Sequence, residues 1–203
     1  MQTTTNLKAA TPRQGANLLA LGFGLYAVLA VALSAAGAFA AVDTNLFALT
    51  VVAATAGLTA LYFLVPPIRA LATRLGPYGL AGFHVWRIPA ALTFFYYGWQ
   101  GWLPDIFVAL AGCGDLLAGT LAAAVLVLPR SRRRIAAFHV FGFADFLVAV
   151  GTGILLTIRA PDSMAEIVWL PVALIPLVGV PLSGATHIAA LHQLWQGGAD
   201  RRF

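Results

Sequence analysis

Asp115 and Asp145 each stand near the middle of a long apolar stretch, and Arg87 stands inside a third. Hydrocarbon cannot solvate such groups, so they must face the protein interior and meet one another or a ligand. Two carboxylates brought together in a low dielectric resist carrying charge at the same time, unless a cation such as Arg87 compensates. An Arg-Asp-Asp set can therefore change its net charge by taking up one proton. That property suits a site that binds or passes a small solute or a proton, and it equally suits a buried ion pair that only fixes helix register.

The histidines extend the constellation. His84 precedes Arg87 by three residues, which places both on one helix face. His187 and His139 fall at a similar depth in later stretches. The favoured binding set is therefore Arg87, Asp115, Asp145, His187 and His84. A b-type haem is the alternative, with His84 and His187 as axial ligands and His139 with His187 as the second pair. Gly82, Gly142 and Gly184 lie nearby to admit a flat ring. A metal site of His84, His139 and His187 with an Asp is a weaker alternative. His192 lies about 140° around its helix from His187 and is expected at an interface, with no specific role.

The elements that carry these residues are helices in a membrane. The chain has 203 residues, 61% of them hydrophobic and only 9% charged, against about 25% charged in ordinary globular domains. Mean hydropathy is +0.88. The apolar stretches are helix-length and lack the short alternation of membrane barrels. The expected fold is an all-α bundle of six transmembrane helices, forming one domain over residues 1–203. The spans fall at about 17–41, 46–66, 78–98, 103–128, 135–158 and 165–193, judged against roughly 20 residues per crossing. Residues 1–16 and 195–203 form short tails.

Basic residues set the orientation. Lys8 and Arg13, Arg69 and Arg74, the run Arg130-Ser131-Arg132-Arg133-Arg134, and Arg201-Arg202 all fall on one side when six spans are drawn. That side is the cytoplasm, so both termini are expected there. Asp43, Asp105, Asp162 and Glu166 fall opposite, with Arg159 the exception. Ala38-Phe39-Ala40 resembles a signal cleavage site, yet the apolar run before it exceeds the roughly 7–15 residues of a signal peptide core. A retained anchor is expected. The net charge of +5 sits at span ends, which fits an anchor beside anionic lipid and argues against nucleic acid.

Depth and faces converge. With a rise of ~1.5 Å per residue, Arg87 lies roughly 13 Å into its span, near the midplane, and Asp115 and Asp145 reach the same level. Ala111, Asp115, Ala118 and Ala122 form a small-residue stripe. Gly142, Asp145, Ala149 and Gly153 form another, so each Asp should point into a close helix contact. Gly112-x-x-Asp115 recurs as Gly142-x-x-Asp145 in a span of opposite direction, which hints at an inverted repeat. Pro89 should free the Val85 carbonyl, and Pro171, Pro176 and Pro181 should bend the last span. Trp86, Trp99, Trp102, Trp169 and Trp195, with Tyr96 and Tyr97, read as an interfacial belt. Cys113, between two glycines, reads as a small packing residue. Phosphate-loop, zinc-protease and nucleophile-elbow motifs are missing, so the chain leans away from enzymes. A structural subunit docking a membrane partner or a second copy is a further alternative.

From His84 to His192 the chain resembles a group of small, uncharacterised multi-span membrane proteins of bacteria. The resemblance rests on Arg87, Leu103-Pro104 with Phe107, Ala111-Gly112-x-Gly114-Asp115, Gly142-x-x-Asp145, Pro171-x-x-Leu174-Ile175-Pro176, Val180-Pro181 and His187. It groups Arg87, Asp115, Asp145 and His187 as one constellation and implies no chemistry; the expected location is the bacterial inner membrane.

Overall fold

The computed structural model of the protein describes residues 12–197, and every regular element within them is helical. We number the helices α1 (Pro12–Ala35), α2 (Thr44–Leu64), α3 (Pro66–Phe83), α4 (Arg87–Trp99), α5 (Asp105–Val127), α6 (Arg132–Arg159) and α7 (Ile175–Gln196). Lys8, Arg201 and Arg202, expected to flank the spans, lie outside the described residues.

Four helices among the described residues, α2, α5, α6 and α7, are long and apolar enough to cross a membrane, where six were expected. The other two expected spans are not among these four. In α1 the described apolar part is the shorter Gly24–Ala35, and the helix ends at Ala35 rather than near residue 41. The expected third span is divided. Just ahead of it, inside α3, Gly76 takes φ 63°, ψ 175°, a left-handed excursion that glycine tolerates, and Pro77 follows without an N–H to donate. A 3₁₀ turn at His84–Trp86 then separates α3 from α4. That turn lies one helical turn before Pro89, which has no N–H to bond the Val85 carbonyl.

Local signals set the remaining boundaries. Asp43 caps α2 by accepting from the Asn45 N–H at 2.8 Å. Val65 is extended because Pro66 follows it, so α2 stops and α3 starts with proline in its first turn. The stretch before α7 departs from the expected helix from residue 165: Pro161–Val168 is 3₁₀, and α7 begins only at Ile175 through a π turn, Ile175–Gly179. A second π turn, Val108–Gly112, opens the way to Asp115 in α5.

α7 is the central helix. Of its most apolar window 61% is buried, against 17% for α2 and 22% for α6. It packs on α2, α3 and α6, while α5 packs on α4 and α6. The outer faces carry exposed Leu21, Leu25, Val28, Leu49, Val127 and Ile158, an apolar surface of the kind lipid covers.

One end of the bundle collects basic and polar groups. The Tyr78 hydroxyl donates to the Ser131 carbonyl at 3.2 Å, Arg130 lies 5.5 Å over the Tyr78 ring, and Arg132 donates to the Leu194 carbonyl at 2.7 Å. Arg69 donates to the Phe63 carbonyl at the same end. His192, assigned no role from sequence, shares a 2.8 Å hydrogen bond with Tyr62 there and ties α7 to α2. Trp99, Trp102, Trp169 and Trp195 are exposed as expected. Trp86 is an exception and lies half-buried in the interior.

Replacing Asp43 with Ala removes the α2 cap and is expected to cost about 1 kcal/mol, read as a lower midpoint in thermal unfolding of the detergent-solubilised protein.

Candidate functional site

Arg87 opens α4 at the 3₁₀ break, and the break turns its side chain into the bundle, where it is 2% exposed. Its Nε donates to Asp115 Oδ1 at 2.6 Å, its Nη2 donates to Asp145 Oδ2, and its Nη1 donates to the Gly142 carbonyl at 3.3 Å. The sequence expected these three charges at one level, and the structure brings them into direct contact from three helices. All three guanidinium nitrogens are engaged. With both carboxylates ionised the triad carries a net charge of −1, and one bound proton makes it neutral.

Small residues make the contact feasible. A Cβ on Gly114 would overlap the Asp145 carboxylate, and one on Gly142 would overlap the His187 ring. Ala111, Ala118 and Ala122 are buried on the same face of α5 as Asp115, as their spacing implied. On α6 the stripe behaves differently beyond Asp145. Ala149 packs on the core and Gly153 faces the Phe107 ring, and both form part of a cavity wall. Cys113 is exposed rather than packed, because two residues from Asp115 is roughly 200° around the helix.

His84, His139 and His187 are fully buried beside the triad. His139 Nε2 lies 3.0 Å from the Pro77 carbonyl, which can only accept, so Nε2 carries the hydrogen. The Nδ1 of neutral His139 is then bare and accepts from His187 Nδ1 at 3.0 Å. The remaining nitrogen of neutral His187, Nε2, is therefore a free lone pair. His84 follows the same logic. The Thr186 hydroxyl has one hydrogen, directed to the Leu182 carbonyl at 2.6 Å, so it accepts from His84 Nε2 at 3.2 Å and leaves His84 Nδ1 bare. Both bare atoms are buried and have no partner among the described residues. A Cβ on Gly142 would lie 2.6 Å from His187 Nε2, so this lone pair abuts the residue whose carbonyl Arg87 holds. Gly142 is the junction between the triad and the imidazole chain.

Ring nitrogens of the three histidines lie within 4.8 Å of one another, close enough to hold a metal ion. An ion there would displace the hydrogen shared by His139 and His187. Haem ligation by His84 and His187 requires the two rings on opposite faces of a porphyrin. Instead the rings stack face to face at 3.8 Å and 19°, and a porphyrin does not fit between them without their separation. His139 and His187 meet edge to face at 5.2 Å and 79°, joined by their own hydrogen bond.

A cavity of about 80 Å³ adjoins the triad. Arg87 and Asp115 are its charged groups. Phe47, Phe94, Phe107 and Phe146 line it, together with Trp86, whose Nε1 donates to Ser183 Oγ at 3.3 Å. Sequence reading missed this wall. Tryptophan in an apolar chain reads as interfacial, and only the position of Trp86 one residue before Arg87 signals otherwise.

Two outcomes test this geometry by thermal unfolding in detergent. Arg87→Met strands two buried carboxylates and is expected to cost about 3–5 kcal/mol, most of it recovered when Asp115→Asn and Asp145→Asn are added. Gly142→Ala, with its methyl against His187, is expected to lower the midpoint well below that of Gly151→Ala, where an added Cβ meets nothing within 4 Å.

Residues 44–195 match the family model described as Domain of unknown function (DUF8737). The match takes in all the helices except α1. No curated protein and no solved structure matches the chain.

Proposed function

We propose that this chain, which belongs to the DUF8737 family, is a single-domain, multi-pass membrane protein that takes up and releases one proton while binding or passing a small solute. The observation that carries this reading is one buried guanidinium holding carboxylates from two other helices. Stranding a net charge in low dielectric is costly, so the triad favours the neutral, singly protonated state and yields its proton when a solute or a neighbouring group compensates.

The imidazole chain is the route for that proton. His187 Nε2 accepts it beside Gly142, the hydrogen on His187 Nδ1 passes to His139 Nδ1, and the hydrogen on His139 Nε2, held by the Pro77 carbonyl at rest, is released to solvent water. Each ring gains one proton and loses one. Pro77 is next to Tyr78, whose hydroxyl bonds Ser131 in the Arg-rich loop, so the route leads to the basic end of the bundle. We assign that end to the cytoplasm, with both termini there, because basic flanks are retained on the cytoplasmic side. The location in this reading is a bacterial inner membrane. His84, stacked on His187, holds the ring in place.

The test is proton flux in proteoliposomes loaded with a pH-sensitive dye. Asp115→Asn and Asp145→Asn are each expected to lower flux at least tenfold, with an unchanged elution profile in size exclusion. Full flux in both variants would remove the carrier reading and leave the triad as a tie between helices.

A further inference from the structure

We propose that the cavity beside Arg87 and Asp115 binds a small organic monocation, of the alkylammonium class, which takes the place of the proton on the triad. The proposal rests on the proton-sensitive reading of the triad given above and names the solute class for that site.

The charge balance selects the sign. Arg87 spends three of its five N–H donors on Asp115, Asp145 and Gly142, and two carboxylates already outweigh its charge, so an incoming anion meets net repulsion. Asp115 lines the cavity and is bound to Arg87 through Oδ1 alone, so its second oxygen is the one available to a ligand. Without a proton the triad is one negative charge in excess. Arg69, Arg74, Arg130, Arg132, Arg133, Arg134 and Arg159, the other cations among the described side chains, do not line this wall. The titratable groups around the triad, from every element packed on it, are Arg87, Asp115, Asp145, His84, His139 and His187. None of these supplies a second fixed positive charge.

The wall selects the kind of cation. A bare metal ion such as sodium or calcium needs a shell of oxygen ligands, and this cavity offers one free carboxylate oxygen with the hydroxyls of Ser183 and Thr157. The rest is carbon. Four phenylalanines and Trp86 supply aromatic rings, which attract organic ammonium groups and cost them little in lost hydration. A neutral polar solute would leave its hydrogen bonds unmet against such a wall. The volume of about 80 Å³ admits a head group of a few carbon atoms rather than a long chain.

Trp86 also supplies the access. A second, mostly apolar groove lies between α1, α4 and α7, lined by Ala27, Val31, Pro89 and Leu182, and it shares Trp86 and Ile175 with the inner cavity. A Cβ on Gly179 would overlap the Trp86 ring, so the indole rests directly on the π turn that opens α7. The indole is thus the partition between a groove open at the side of the bundle and the charged cavity.

The exchange balances as one cation bound for one proton released. The experiment uses the full chain in detergent, titrated with tetramethylammonium chloride at fixed ionic strength and followed by calorimetry. Neutral 3,3-dimethylbutan-1-ol and anionic pivalate, of similar bulk, serve as controls. Tetramethylammonium is expected to bind saturably, to release protons on binding, and to weaken up to tenfold per unit as pH falls through the range where the triad is protonated. Asp115→Asn is expected to weaken binding at least tenfold, and His192→Gln to leave it unchanged. Phe107→Leu, which keeps the charges, is expected to weaken it several-fold and serves if the Asn variant does not fold. Equal or tighter binding of the alcohol or pivalate, or no saturable binding of tetramethylammonium, overturns the proposal. Proton flux in proteoliposomes separates the two readings. Flux that depends on Asp115 and Asp145 without tetramethylammonium binding defeats the cation alone, and absence of both defeats the carrier reading with it.

Discussion

A guanidinium with no access to water must be paired or it destabilises the fold by several kcal/mol. Arg87 meets that requirement with two carboxylates and one carbonyl, drawn from α5 and α6. The pairing fixes the rotation of both helices about their axes and their height relative to α4. A helix rotated by one residue would turn Asp115 or Asp145 through about 100° and cost the arginine one of its two carboxylates. The triad therefore acts as the register pin for this half of the bundle, whatever else it does.

The surroundings of the triad follow from letting charged groups meet inside a packed bundle. Gly114 and Gly142 lack the side chains that would fill the space taken by Asp145 and His187. Three departures from regular helix lie in the elements around the site: the 3₁₀ turn before Arg87, the π turn before Asp115 and the π turn at the start of α7. Such turns shift the phase of the residues that follow, and π turns recur at functional sites. Here they direct Arg87 and Asp115 inward and seat Gly179 under Trp86.

The imidazole chain and the cavity meet the triad on different sides. On one side are hydrogen-bonded rings with two unpartnered lone pairs. On the other is a carbon-lined space with one charged edge. A proton can move through the first and not the second, because the aromatic wall offers it no chain of acceptors. A carbon-rich cation fits the second and not the first. The proposed coupling of proton and solute rests on this division.

Composition and charge placement determined that the chain is helical and apolar, and that Arg87, Asp115 and Asp145 must find one another, because isolated ions in hydrocarbon have no alternative. Glycine and alanine spacing identified the faces on which the carboxylates sit. The count of long helices was not legible, since the 3₁₀ turn at His84–Trp86, one turn ahead of Pro89, divides the third stretch through a backbone effect that hydropathy does not register. The tertiary structure alone decided the imidazole arrangement. Residues 84, 139 and 187 lie far apart in sequence, and which nitrogen faces Pro77, Thr186 or a neighbouring ring depends on how three helices are rotated. It also decided the place of Trp86, because an indole near a span's middle and one at its end look alike until the chain's break beside it and the glycine opposite are set in space.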